Sequence, residues 1–163
     1  MIFEPLAGHH QRQAFACESE VLTRYLHEQA GQDMRKKLSV CFVACDKDRN
    51  ILGYYTLATS SVSRELIPET NKKLLPQHYD APVILLGRLA RHLNAKGQNL
   101  GEMLLVDALI RSFHIVSQSV GAMAVVVDPI DEKAAAYYRS YGFEGLQDTT
   151  RMLISMKSIA KLL

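Results

Sequence analysis

Residues 86–101 read Leu-Gly-Arg-Leu-Ala-Arg-His-Leu-Asn-Ala-Lys-Gly-Gln-Asn-Leu-Gly, an apolar strand that passes through a short polar turn straight into an amphipathic helix. This order constrains the chain more than any other segment, because strand, turn and helix in succession build an anion site out of main chain. A helix beginning near Leu100 leaves its first amide N–H groups without intrahelical acceptors and gathers the positive end of its dipole there. A pyrophosphate can rest on such a turn with no side-chain cation. Gly97 and Gly101 keep side chains clear of that ligand.

With 163 residues, of which 48% are hydrophobic, the chain is expected to form one domain, residues 1–163, around a sizeable core. No apolar run approaches a membrane span and the first residues lack the basic stretch of a signal peptide, so a cytoplasmic protein without membrane contact is expected. Cys17, Cys41 and Cys45 are odd in number and form no Cys-x-x-Cys pair, which fits reduced, packed thiols and no metal site. The formal charge of +2 requires any nucleic-acid partner to use a local basic face.

Along the chain, β-like and helical runs alternate without repeats or a dividing linker. Residues 18–29 place Val21, Leu22, Tyr25 and Leu26 at helical spacing. Residues 40–45 and 51–62 are β-branched and aromatic runs joined by Asp-Lys-Asp-Arg-Asn, a hairpin. Residues 64–82 hold three of the five prolines and read as an irregular excursion before a strand over 83–93. A helix over 100–117 is expected to face the sheet with Leu104, Val106, Leu109, Ile110 and Phe113, leaving Asp107 and Arg111 as an i,i+4 pair in water. A strand over 122–127, a helix capped by Asp131 and ended at Gly142, and a strand over 151–156 complete the pattern. The sum is a mixed α/β (α+β) architecture, helices on both faces of a twisted sheet.

Five blocks in register carry a resemblance. They are Phe-Ala-Cys-Glu-Ser-Glu-Val-Leu at 15–22 with Tyr25 and Leu26; Gly-Tyr-Tyr-Thr-Leu at 53–57; Pro82 with Leu-Gly-Arg-Leu-Ala at 86–90; Lys-Gly-Gln-Asn-Leu-Gly at 96–101; and Tyr-Tyr-Arg-Ser-Tyr-Gly-Phe at 137–143. In order and spacing they resemble the GCN5-related N-acetyltransferase (GNAT) superfamily over nearly the whole length, and within it the acetyltransferase toxins of type II toxin–antitoxin systems. The resemblance implies the GNAT fold, with acetyl-CoA as acetyl donor held by Leu89, Ala90, Arg91, Lys96, Gly97, Gln98, Asn99, Leu100, Gly101 and Glu102. The superfamily fingerprint is (Gln/Arg)-x-x-Gly-x-(Gly/Ala); here Lys96 stands at its first position and Asn99 at its central glycine. Asn tolerates left-handed backbone better than most residues, so the site is expected to survive the change.

In this superfamily the amine attacks the thioester directly, and the departing thiolate needs a proton. Tyr138 matches the family's general-acid tyrosine, and a phenol can donate to a thiolate without being ionised at neutral pH. The plainer reading of Tyr138 is an amphipathic residue packed at a helix end. Tyr137 and Tyr141 are left as packing or substrate contacts.

Residues 81–101 contain no Asp or Glu, although this strand and turn often carry a carboxylate base in relatives. A lysine substrate would be poorly served: at pH 7 fewer than about one lysine in a thousand is neutral, against about one α-amine in seven. An aminoacyl ester lowers the amine's pKa further. His92, the remaining titratable group on the strand, is more simply a surface histidine. The toxin resemblance implies the same substrate, the α-amine of aminoacyl-tRNA, whose acetylation blocks translation. It also implies a ribbon-helix-helix antitoxin and a homodimer.

Arg88, Arg91 and Lys96 beside the proposed site, and the cluster Arg35, Lys36 and Lys37, offer a path for tRNA phosphates; the alternative for each is a solvated charge, and Arg88 could pair with a carboxylate inside the fold. Strand alternation sets Arg88 opposite Leu89 and Arg91 unless a bulge intervenes. Cys41 and Cys45 share a strand face as packing thiols, Cys17 is assigned a structural role with no helix N-terminus beside it, and His9, His10 and His114 lack ligand spacing. The apolar C-terminal segment, 154–163, covers either the sheet or a subunit interface. Two other functions fit the motifs: acetylation of a small amine or peptide N-terminus, and a non-catalytic acetyl-CoA-binding module.

Overall fold

The computed structural model describes residues 1–147 and 149–163. Its strands are β1 Ile2–Pro5, β2 Val40–Cys45, β3 Ile51–Val62, β4 Ala81–Arg91, β5 Ala124–Val127, β6 Glu144–Gly145 and β7 Met152–Ser155, in the sheet order β1-β2-β3-β4-β5-β7-β6. The helices are α1 Glu20–Arg24, α2 Ala30–Arg35, α3 Glu69–Lys72, α4 Leu100–Gln118, α5 Glu132–Ser140 and α6 Met156–Leu162, with a π-helical turn Tyr25–Gln29 joining α1 to α2. Among the described residues no helix is long and apolar enough to cross a membrane. The chain forms two units, Met1–Ala58 with Leu86–Ala108 and Thr59–Leu85 with Leu109–Leu163.

In the first unit, β1, β2 and β3 form an antiparallel meander. The β2–β3 hairpin falls where alternation predicts it. Its loop is an Asx turn in which the Asp46 carboxylate accepts the N–H groups of Asp48 and Asn50 at 2.9 and 3.0 Å. The expected helix over 18–29 is extended to Arg35, because Ser19 caps it by accepting from Leu22 N–H and the π turn carries it onward. A π turn widens the helix and alters its hydrogen-bond ladder, and here the Leu22 carbonyl accepts from the Tyr54 hydroxyl at 2.6 Å. Leu6, Phe15, Leu26, Cys41, Val43, Ile51 and Tyr54 form this unit's core. Cys41 is a packing thiol as expected, and burial pushes it up to about 12. The register shift at Ala44/Cys45 takes its extra residue, Leu52, from β3, and the Cys45 thiol donates to Glu4 Oε1 at 3.6 Å.

In the second unit, β4 and β5 run parallel, paired from Val83 with Ala124 to Leu85 with Val126, and β7 lies antiparallel to β5 and β6. Val62, Ile67, Val83, Ala124, Val126, Leu146 and Leu153 form its core. The excursion over 64–82 is largely irregular, with a short 3-10 turn and α3, and the following strand begins two residues earlier than expected, at Ala81. Strands β1 and β6 and helix α6 were not read from sequence; α6 follows from Ser155, whose hydroxyl accepts from Ser158 N–H and turns the C-terminal apolar run into a helix.

Helix α4 begins at Leu100 as expected, and of its expected inward residues Leu104 and Leu109 are buried and Ile110 and Phe113 half buried. Leu100, Leu104, Leu105, Ala108, Leu109 and Ser112 are its buried residues, whereas Val106 is exposed. Asp107, expected in water, is half buried and accepts the Tyr55 hydroxyl at 2.6 Å.

Candidate active site

Strand β4 ends at Arg91, and the next residues fold into a rigid turn held at both ends. His92 caps the 3-10 turn Leu93–Ala95, its Nδ1 accepting from Asn94 N–H at 3.0 Å. Its Nε2 therefore carries the proton and donates to the Ala14 carbonyl at 3.0 Å. Both ring nitrogens are engaged, which supports the structural reading of His92 over that of a base. Ala95 and Leu100 are buried, and between them Lys96, Gly97, Gln98 and Asn99 stand exposed. Gly97 at φ +85° and Asn99 at φ +57° both adopt left-handed backbone, so the turn requires the conformation that glycine supplies freely and Asn tolerates. Asn99 thus takes the left-handed conformation that its side chain tolerates. The first helical bond of α4 runs from Met103 N–H to the Asn99 carbonyl at 3.1 Å. The amides of Leu100, Gly101 and Glu102 precede it and can accept an anion.

Leu89 and Arg91 are half buried and Ala90 is buried just before this turn. One carboxylate reaches it that sequence spacing did not reveal. Glu18 Oε1 lies 3.5 Å from Lys96 Nζ and 3.9 Å from an Arg91 guanidinium nitrogen. Glu18 belongs to the 15–22 block, whose order within the resemblance was the available signal.

Arg88 is directed to a different partner. Its guanidinium lies 3.6 Å from the centroid of the Tyr25 ring, a cation–π contact. The Tyr25 hydroxyl donates to Asp33 Oδ2 at 2.7 Å and Gln29 donates to Oδ1 at 2.9 Å, holding the Asp33 carboxyl below its usual range. Arg88 is thus tied into the first unit, while Arg35, Lys36 and Lys37 stand exposed at the C-terminal end of α2, where the helix dipole favours cations.

Tyr138 lies in the second unit, on α5, which Asp131 caps by accepting from Ala134 N–H at 2.7 Å. The 137–143 motif is a helix ending. Gly142 at φ +100° lets the chain reverse, so that the Tyr141 and Phe143 N–H groups both donate to the Tyr138 carbonyl, at 3.0 and 3.3 Å. The reversal brings buried Phe143 edge-on to the Tyr138 ring, centroids 5.3 Å apart. Burial raises the Tyr138 pKa above that of an ordinary phenol, keeping it a proton donor at neutral pH. In the same unit a groove of about 380 Å³ beside the α5 N-terminus includes Arg139 and Arg151. Both arginines are paired, with Glu132 and Asp128.

Glu4, His10 and Cys45 bring carboxylate, imidazole and thiol within 4.8 Å of one another. They do not form a free donor set. Ala7 N–H donates to His10 Nδ1 at 2.9 Å, so the neutral ring is protonated at Nε2 and donates to Glu4 at 2.7 Å. Binding a metal at Nε2 would require the imidazolate. Cys17, contrary to expectation, does adjoin a helix N-terminus, but its thiol donates to the Ser19 carbonyl and serves the cap.

No family model matches the chain. Its similarity to individual proteins is extensive. It is 32% identical over 151 residues to a tRNA-acetylating toxin of Mycobacterium tuberculosis, covering 92% of this chain and 89% of that protein. A solved structure of AtaT complexed with acetyl-methionyl-tRNAfMet, 28% identical, superposes with a TM-score of 0.90 over 99% of this chain and 98% of that one. A tyrosine-to-phenylalanine mutant of the AtaT toxin, bound to the C-terminus of the antitoxin AtaR and to acetyl-CoA, is 26% identical with a TM-score of 0.82, over 99% of this chain and 97% of that one. On this similarity over most of its length, the chain belongs to the GNAT-family acetyltransferase toxins of toxin–antitoxin systems.

Proposed function

We propose that this protein is the toxin of a type II toxin–antitoxin system, transferring acetyl from acetyl-CoA to the α-amine of aminoacyl-tRNA and so blocking translation. The observation that carries the reading is the 96–101 turn, whose two left-handed residues feed the amides of Leu100, Gly101 and Glu102, in a chain similar along its length to tRNA-acetylating toxins. On this reading Lys96 to Glu102 bind the pyrophosphate, and Leu89, Ala90 and Arg91 offer strand main chain to the pantetheine arm.

The neutral α-amine attacks the thioester carbonyl; the C–N bond forms, the C–S bond breaks, and Tyr138 delivers the proton that the CoA thiolate takes up. The ammonium proton leaves to solvent, since an ester-linked α-amine has a low enough pKa to need little help. Arg35, Lys36 and Lys37 contact tRNA phosphates, with Arg88 held back by Tyr25 and Arg91 beside the donor's phosphates. The chain acts in the cytoplasm, where charged tRNA is found, as one functional domain over 1–163. Its partners are a ribbon-helix-helix antitoxin and a second copy of itself.

The test is incubation of purified protein with radiolabelled acetyl-CoA and a total pool of charged tRNA. Transfer to charged but not deacylated tRNA, lost in Tyr138→Phe, is the expected result. Measurable acetyl-CoA binding without transfer to any charged tRNA overturns the assigned acceptor.

A further inference from the structure

Glu18 places one carboxylate oxygen between the two cations that flank the 96–101 turn, 3.5 Å from Lys96 and 3.9 Å from Arg91. Its position does not depend on a long side chain reaching by chance. The preceding backbone is fastened to the turn: Leu93 N–H donates to the Ala16 carbonyl at 2.9 Å, and His92 bonds the Ala14 carbonyl at 3.0 Å. On the other side, Ser19 caps α1 and the Cys17 N–H donates to the Thr23 hydroxyl at 3.0 Å. The backbone at Glu18 is thus held between a helix cap and the turn.

We infer that Glu18 tunes donor affinity by competing with the phosphates of the acetyl donor for Lys96 and Arg91. This rests on the assignment of the turn as the acetyl-CoA site. A pyrophosphate seated on the amides of Leu100 to Glu102 draws the same two cations, and the Glu18 carboxylate opposes it twice, by holding the cations and by repelling the anion. Glu18 and Lys96 are each about two-thirds exposed, at 67% and 68%, so their pair is weak enough to open on binding. Its influence is screened by salt. The carboxylate acts on the phosphates of the donor and not on its thioester, so Glu18 lowers the affinity for phosphorylated donors and leaves that for an unphosphorylated donor unchanged.

The test is Glu18→Gln, measured for acetyl-CoA dissociation constant, KM and kcat at low and high salt, with acetyl-pantetheine, which lacks the phosphates, as the comparison donor. The expected result is roughly two- to fivefold tighter acetyl-CoA binding at low salt, shrinking at high salt. The kcat, the melting temperature and the KM for acetyl-pantetheine should not change. Unchanged or weaker acetyl-CoA binding overturns the inference, as does an equal gain for acetyl-pantetheine. Asn99→Val, which disturbs the turn's backbone, separates the two levels: weaker acetyl-CoA binding there with no effect of Glu18→Gln defeats the inference alone, and no effect of either substitution defeats the assignment of the turn with it.

Discussion

Gly53 on β3 lies directly against Leu104 on α4: a Cβ at Gly53 would stand 2.7 Å from Leu104 Cδ1 and 3.0 Å from the Ala90 carbonyl oxygen. The absence of that carbon lets α4 sit close to the strands that precede the turn, and the Tyr55–Asp107 bond holds the same helix one turn further on. Gly53→Ala is expected to destabilise the protein by about 1–3 kcal/mol through overpacking and to raise the KM for acetyl-CoA. Leu104 can yield where the Ala90 main chain cannot, so adding Leu104→Val should recover part of the loss. Denaturant midpoints and donor kinetics for the single and double variants check this.

Asn99 is held at φ +57°. Asn99→Gly should leave acetyl-CoA binding within about twofold, because glycine adopts that backbone freely. Asn99→Val places a β-branched side chain where left-handed backbone costs roughly 1–2 kcal/mol. It should weaken donor binding about tenfold, measured by calorimetry.

As the proposed proton donor Tyr138 would act in its protonated form, and burial raises its pKa above the ordinary phenol value. Activity should therefore be lost only as pH rises through that raised value, above about pH 10. On the acid side, the rate should climb with pH as the acceptor α-amine loses its proton, up to a value no higher than about 7.7–8.0. A pH profile of kcat/KM tests both limbs. Tyr138→Phe should lower kcat on the order of a hundredfold while leaving acetyl-CoA affinity nearly unchanged.

Asp33 is ionised in the folded state with its pKa lowered, first by the Tyr25 hydroxyl and then by Gln29. A lowered carboxylate pKa contributes stability that is present above the unfolded value, about 3.9, and is lost as pH falls through the folded value. Tyr25→Phe should cost about 1 kcal/mol near pH 7, and the gap to the parent protein should narrow below pH 4. Urea denaturation at the two pH values measures it; a gap independent of pH would refute the assignment.

Much of the fold was legible because its signals are local. Asp131 and Gly142 bracket α5, Asp46 closes the β2–β3 hairpin, and the polar run before Leu100 announces α4, each through hydrogen bonds or backbone freedom within a few residues. Strand β1 was missed because its four residues carry little pattern of their own and are ordered by pairing with β2. On α4, Val106 was placed inward for a related reason. Helical periodicity admits either Val106 or the neighbouring Leu105 and Ala108 as the inward set, and packing in the folded chain selects the latter.

For the site, the sequence by itself determined the turn before α4, the tolerance of Asn99 for left-handed backbone, and the α5 cap and ending around Tyr138, since all of these follow from chemistry between near neighbours. Tertiary structure decided which charges meet. It stacked Arg88 on Tyr25, used both nitrogens of His92 in capping, and brought Glu18 to Arg91 and Lys96 across more than seventy residues of chain. Such contacts depend on how distant segments are fastened together, and no local spacing encodes them.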